Sequence, residues 1–191
     1  FAAKYVQLIN RSALKDSVTS IITGADLKSG DVMTKGPHTW KFEADSVTDF
    51  TFAVSNHYIW KAASLVVDPK TGRRARVDAV FNPTHKSYYN VVNYARKTVE
   101  TMSYKFIKWP YPYPHETVFD GLDQMEYPMM VNDNPVENTT DDVELTDHEI
   151  FHTMFPFYMG TNDTKYGWMD EGWATIGEWM ISPAINPKIA D

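Results

Sequence analysis

At 191 residues, 43% hydrophobic and 23% charged, the chain can bury one sizeable core, or one domain plus part of another, and wholesale disorder is excluded. A formal net charge of −7 excludes a general nucleic-acid binder, which needs a basic face to displace counterions. With no cysteine there are no disulfides, and any metal must be held by imidazoles and carboxylates.

From Phe1 to about Asn56 the sequence reads as β-like. Thr19–Thr23, Thr39–Glu43 and Val47–Val54 carry β-branched and aromatic residues, with Gly24, Ser29-Gly30 and Gly36-Pro37 between them. Tyr58–Val67 and Arg74–Phe81 then flank Asp68-Pro69-Lys70-Thr71-Gly72, a turn sequence that predicts a hairpin. The basic cluster Lys70–Arg76 is read as a solvated turn. Thr84 is the expected cap of the next helix, in which Tyr88, Val91, Val92, Ala95, Val99, Met102 and Phe106 form an amphipathic face.

Three prolines exclude helix from Trp109 to Pro114. Strands are expected at Glu116–Phe119 and Glu126–Val131, with Met125, Met129 and Met130 filling core gaps. An acidic, Asn-rich loop leads into a helix around His148, and a last helix is expected from Asp170 to about Ile181. Strands first and helices later predict an α+β fold with helices against a mixed sheet. No stretch approaches transmembrane length. The start at Phe1 fits a mature form or a piece of something longer, and a periplasmic or secreted location is favoured over the cytoplasm.

His148-Glu149-Ile150-Phe151-His152 matches H-E-x-x-H. Residues at i and i+4 share a helix face, so two imidazoles can converge on one ion while Glu149 reaches the position where water sits. A catalytic zinc needs a third protein ligand and an open place. Glu171, 19 residues after His152, leaves room for a loop and a second helix to supply it, and Pro156 should end the first helix. The alternative is two surface histidines beside an unrelated Glu-Gly turn. Thr175 and Glu178 lie one and two turns beyond Glu171, and Glu178 can accept the spare N–H of a ligand histidine. His38, His57, His85 and His115 read as solvated, Tyr166 as a core aromatic, and three glycosylation sequons as incidental.

H-E-x-x-H followed by Trp168-Met-Asp-Glu-Gly-Trp-Ala174 resembles the aminopeptidase N family of zinc peptidases, thermolysin-like gluzincins. Gln124-Met-Glu-Tyr-Pro128 is similar to that family's G-x-M-E-N exopeptidase motif. The Tyr-Pro variant and His152–Gly160 look most like bacterial members, and Trp40–Phe52 resembles the segment in which the family leaves its first β domain. The resemblance implies the end of an N-terminal β-rich domain at 1–55 and the first part of a thermolysin-like catalytic domain at 56–191. It implies Zn2+ on His148, His152 and Glu171, with Glu149 as base, and peptide substrates with a free N-terminus gripped by Glu126. Zinc would polarise the scissile carbonyl, while Glu149 takes a proton from water and hands it to the leaving amine. Asp123 stands where the family usually has Gly, and the family's catalytic Tyr is expected beyond Asp191. The C-terminal portion of the same polypeptide is thus an expected partner, and the isolated piece should turn over feebly. A gluzincin endopeptidase and a non-catalytic zinc-fold binding domain are the alternatives.

Overall fold

The computed structural model describes residues 1–121 and 123–190. Its centre is a six-stranded mixed sheet of β1 (Thr19–Ile22), β2 (Ile59–Asp68), β3 (Arg73–Phe81), β4 (His115–Asp120), β5 (Met125–Tyr127) and β6 (Met130–Asp133). The strand order is β1-β2-β3-β4-β6-β5. β1, β2 and β3 are antiparallel neighbours, β3–β4 and β4–β6 are parallel, and β5 is an antiparallel edge on β6. The helices are α1 (Ala3–Ser12), α2 (Gly24–Ser29), α3 (Val91–Tyr104), α4 (Thr139–Phe151) and α5 (Glu171–Ile185). The fold is α+β, with helices against a mixed sheet.

Side chains alternate across a strand, so β2 serves two cores. Ile59, Ala63, Leu65 and Val67 pack with α3, α4 and α5, while Ala62 joins Tyr5, Ile21 and Ile22 under α1. The larger core lies between sheet and helices, with Tyr88, Tyr111, Phe81 and Phe151 fully buried. The α3 face is as periodicity predicts: Tyr88, Val91, Val92, Ala95, Val99 and Met102 are all buried.

The first 56 residues depart from the expected run of strands. Only Thr19–Ile22 is a strand, and it pairs with β2 across the expected domain boundary at 55/56. Ala3–Ser12 is a helix, and Gly24–Ser29 is a short one begun by a capping box between Thr23 and Asp26. Thr39–Glu43 and Val47–Val54 form no strand, because β propensity needs a partner edge and none lies alongside. Trp40, Phe42, Phe50 and Phe52 stay exposed there.

Other differences are local. The helix starts at Val91 behind a short turn at Ser87–Tyr89, so Thr84 bonds Asn82 instead of capping. The strand expected over Glu126–Val131 is a tight hairpin, β5 and β6, with Met129 at φ 68. Met125 is exposed rather than core. The solvated basic turn is confined to Lys70–Gly72. Arg73 donates to the Tyr111 carbonyl (2.6 Å), Arg74 pairs with Asp16, and Arg76 with Asp78 (2.8 Å). Arginine's planar fork suits such fixed acceptors.

Two features set the helices. Asn138 caps α4 by accepting from the Thr140 N–H (2.8 Å). Gly177 lets α5 approach α4 closely, since a Cβ there would lie 2.3 Å from the Phe151 ring. Gly177→Ala should therefore lower stability by about 1–3 kcal/mol through overpacking, outweighing the helix-propensity gain of about 1 kcal/mol. Thermal unfolding checks this, and an unchanged midpoint would contradict the close approach.

Glu116 is fully buried, accepting from Tyr111 Oη (2.5 Å) and Thr153 Oγ1 (3.4 Å). Burial pushes its carboxyl up to about 8, although those hydrogen bonds pull the other way. A folded-state pKa above the unfolded one contributes stability below pH 4.5, and that contribution is lost as pH rises toward 8. Glu116→Gln, which cannot ionise, should raise the unfolding midpoint at pH 8 relative to wild type and much less at pH 4. An equal shift at both pH values would contradict a buried, reluctant acid.

Candidate metal centre

α4 carries His148 and Glu149, and His152 follows at its C-terminal end with helical backbone angles. Past His152 the chain leaves the helix: Phe155 is extended beside Pro156, in a wide turn over Thr153–Tyr158. This is the stop that Pro156 predicts. A loop returns to Asp170, and α5 begins at Glu171, so Glu171 sits in a first turn where the helix dipole favours a carboxylate.

The three expected ligands meet. His148 Nε2 lies 3.2 Å and His152 Nε2 3.7 Å from the same Glu171 oxygen, Oε2, and the two rings are 5.1 Å apart. Donors bound at about 2.0–2.1 Å to a tetrahedral zinc sit roughly 3.3–3.5 Å from one another. The two imidazole–carboxylate distances bracket that spacing, and all three donor atoms lie within 4.8 Å of one another. His152 is buried, His148 largely so, and the Glu171 side chain is 65% exposed, which leaves one side of the triad open to a ligand from solvent.

The outer nitrogens are also held. His148 Nδ1 donates to Glu178 Oε2 at 3.1 Å, as the position of Glu178 predicts. His152 Nδ1 donates to the Phe155 carbonyl at 3.0 Å. These bonds fix both Nδ1–H tautomers and leave each Nε2 lone pair for a cation. The residues present therefore fit zinc. Thr175 is different: among the described residues no hydrogen bond ties it to a ligand, so only Glu178 of that expected pair reaches the site.

Asp170 was not singled out by sequence reasoning, and the structure brings it in. Its Oδ1 lies 2.6 Å from His152 Nδ1, off the N–H direction that the Phe155 carbonyl occupies, and has no hydrogen-bond partner among the described residues. Its place beside Glu171 in the quoted motif was the available signal. Glu126 arrives on β5, and it, His152 and Asp170 each offer an atom within 4.8 Å of the others. Asp133, under the site on β6, accepts from Thr146 Oγ1 (3.4 Å), and no sequence spacing pointed to it.

Carboxylates outnumber cations here, and the protonation equilibria show it. Burial pushes Glu149 up to about 8, with Asp133, Glu126 and Glu171 acting the same way against His148. Burial also raises Glu126, partly offset by His152. Burial, the largest single influence, disfavours charge on both histidines, yet their pKa values are raised: Glu178, Glu149 and Glu171 together outweigh it at His148, and Asp170, Glu126 and Glu171 together do so at His152. A divalent cation is the natural neutraliser of such a bowl.

The remaining histidines divide. His38 and His57 are exposed. His85 is not simply solvated, since its Nδ1 is 2.6 Å from buried Asp120. His115 is mostly enclosed, and burial lowers its pKa. Tyr166 is exposed rather than core. Among the described residues no helix is long and apolar enough to cross a membrane. In comparison with known proteins, no family model matches the chain and no curated protein matches it.

Removing the Glu178 carboxylate with Glu178→Ala should weaken zinc about 10–100-fold, as loss of an outer partner of a ligand histidine does. Chelator competition measures it. Because the histidine pKa values are raised, protons should displace zinc at higher pH than they would from free imidazole, and affinity should fall as pH drops. Zinc binding that is indifferent to Glu178 would count against this arrangement.

Proposed function

We propose that this chain carries the metal centre of a zinc aminopeptidase, related to the thermolysin-like aminopeptidase N family, that hydrolyses the first peptide bond of substrates with a free N-terminus. The observation that carries the reading is the meeting of His148 Nε2 and His152 Nε2 at one Glu171 oxygen, 3.2 and 3.7 Å away.

Zinc held by that triad supplies Lewis acidity toward a carbonyl oxygen and toward water. His148, His152 and Glu171 would hold the cation, and the exposed side of Glu171 leaves a face for substrate. Glu149, on the same helix as both imidazoles, is the proton carrier. It accepts a proton from the attacking water and delivers it to the departing amine. Its affinity for a proton in these surroundings suits an acid–base group that must both accept and release one.

Glu126 sets the register. Its carboxylate stands beside His152 and Asp170, within reach of the metal side of the cleft, and can receive an α-ammonium group. An endopeptidase has no need of an anionic block there, so this placement favours the exopeptidase over the endopeptidase reading. A retired zinc fold has no need of Glu149, which favours an enzyme over a binding domain.

The experiment compares an aminoacyl chromogenic amide with its N-acetylated counterpart, using the zinc-loaded full-length protein, since the 191-residue piece alone is expected to turn over feebly. Turnover of the free amine alone is expected. Glu149→Gln should retain zinc and lower kcat about 100-fold or more, and Glu126→Gln should chiefly raise KM for the free-amine substrate. Equal cleavage of both amides would favour an endopeptidase, and zinc without cleavage of either would favour a binding domain.

A further inference from the structure

α4 and α5 touch along a narrow seam, and the ligands occupy only one side of it. Asp147 and Phe151 are four residues apart on α4, so they share a face, and that face meets α5. Phe151 lies against Gly177, and Asp147 Oδ2 accepts from Ser182 Oγ at 2.6 Å. His148 and His152 stand one step round from these two, facing Glu171 and Glu178. Asp147 and Ser182 are 0% and 1% exposed.

As a source of stability this pair is poorly built. Asp147 Oδ1 is buried with no hydrogen-bond partner among the described residues, and an unsatisfied buried oxygen is costly. Replacing a buried polar pair by apolar groups of similar size is often neutral or stabilising. What an apolar seam does not give is a fixed axial register, since apolar side chains slide past one another at little cost while a hydrogen bond has one short distance. The ligands on α4 and α5 tolerate little sliding. Shifting α5 by one residue moves its carboxylates about 1.5 Å along the axis, most of a zinc–ligand bond length.

We infer that the Asp147–Ser182 hydrogen bond is a register pin, a positioning pair that aligns α5 on α4 so that Glu171 and Glu178 face the two histidines, and that it sets metal affinity rather than fold stability. This inference rests on the metal-centre reading above.

The test measures zinc affinity by competition with a chromogenic chelator, and thermal unfolding of the metal-free protein, for four forms. In the double variant Asp147→Val/Ser182→Ala, zinc affinity should fall about 10-fold or more, in the range for outer-shell losses, while the metal-free unfolding midpoint stays at or above wild type. Asp147→Asn keeps an acceptor oxygen for Ser182 and should bind zinc close to wild type. Ser182→Ala alone should weaken zinc in the same direction as the double variant. Wild-type affinity in the double variant overturns the pin, and so does a loss of affinity matched by an equal loss of stability. A wild-type protein that takes up no zinc overturns the metal centre itself, which is a separate outcome.

Discussion

The structure depends on the close approach of α4 and α5. Two helices can bring three ligands to one ion only if their axes are near and their rotation is fixed. Gly177 supplies the nearness by offering no side chain to the Phe151 ring. Glu178 on His148 and Ser182 on Asp147 supply two fixed points further along the helix pair. The sheet and α3 then hold the helix pair from behind, through a core that includes Phe151, Ile150, Ala174 and Ile181.

The sheet contributes chemistry as well as support. Its edge, β5, carries Glu126 toward His152, and β6 places Asp133 beside Thr146 of α4. The tight β5–β6 hairpin makes this possible. In a single straight strand Glu126 and Val131, five residues apart, would face opposite sides of the sheet. The fold-back instead pairs Glu126 directly with Val131, so the two share a face. The resulting bowl is acidic, and burial is the main cause that raises Glu126, Asp133 and Glu149 within it. Such a cluster of carboxylates favours a cation over an anion on electrostatic grounds.

Much of the site was legible in the sequence because helical spacing is local. His148 and His152 at i and i+4, Glu149 between them, and Glu178 two turns from Glu171 follow from the geometry of one helix each. The β2–β3 hairpin and the buried face of α3 were legible for the same reason, being short-range patterns of turn residues and periodicity. The N-terminal third was misread because strand propensity describes a side chain's fit to a pleated surface, and whether that surface exists is a tertiary matter. Ala3–Ser12 became a helix by packing on β1 and β2, while the aromatic run at Thr39–Val54 found no edge to pair with.

By itself the sequence determined that His148 and His152 share one helix face, because residues four apart on a helix of 3.6 residues per turn lie one above the other. It also determined that the regular helix could not run on through Pro156, although α4 itself ends at Phe151. Only the tertiary structure decided that Glu171 reaches both imidazoles and that Asp170 and Glu126 gather beside His152. Those contacts join segments separated by loops, and their distances are set by how closely helix packs on helix and strand on strand, which no local pattern encodes.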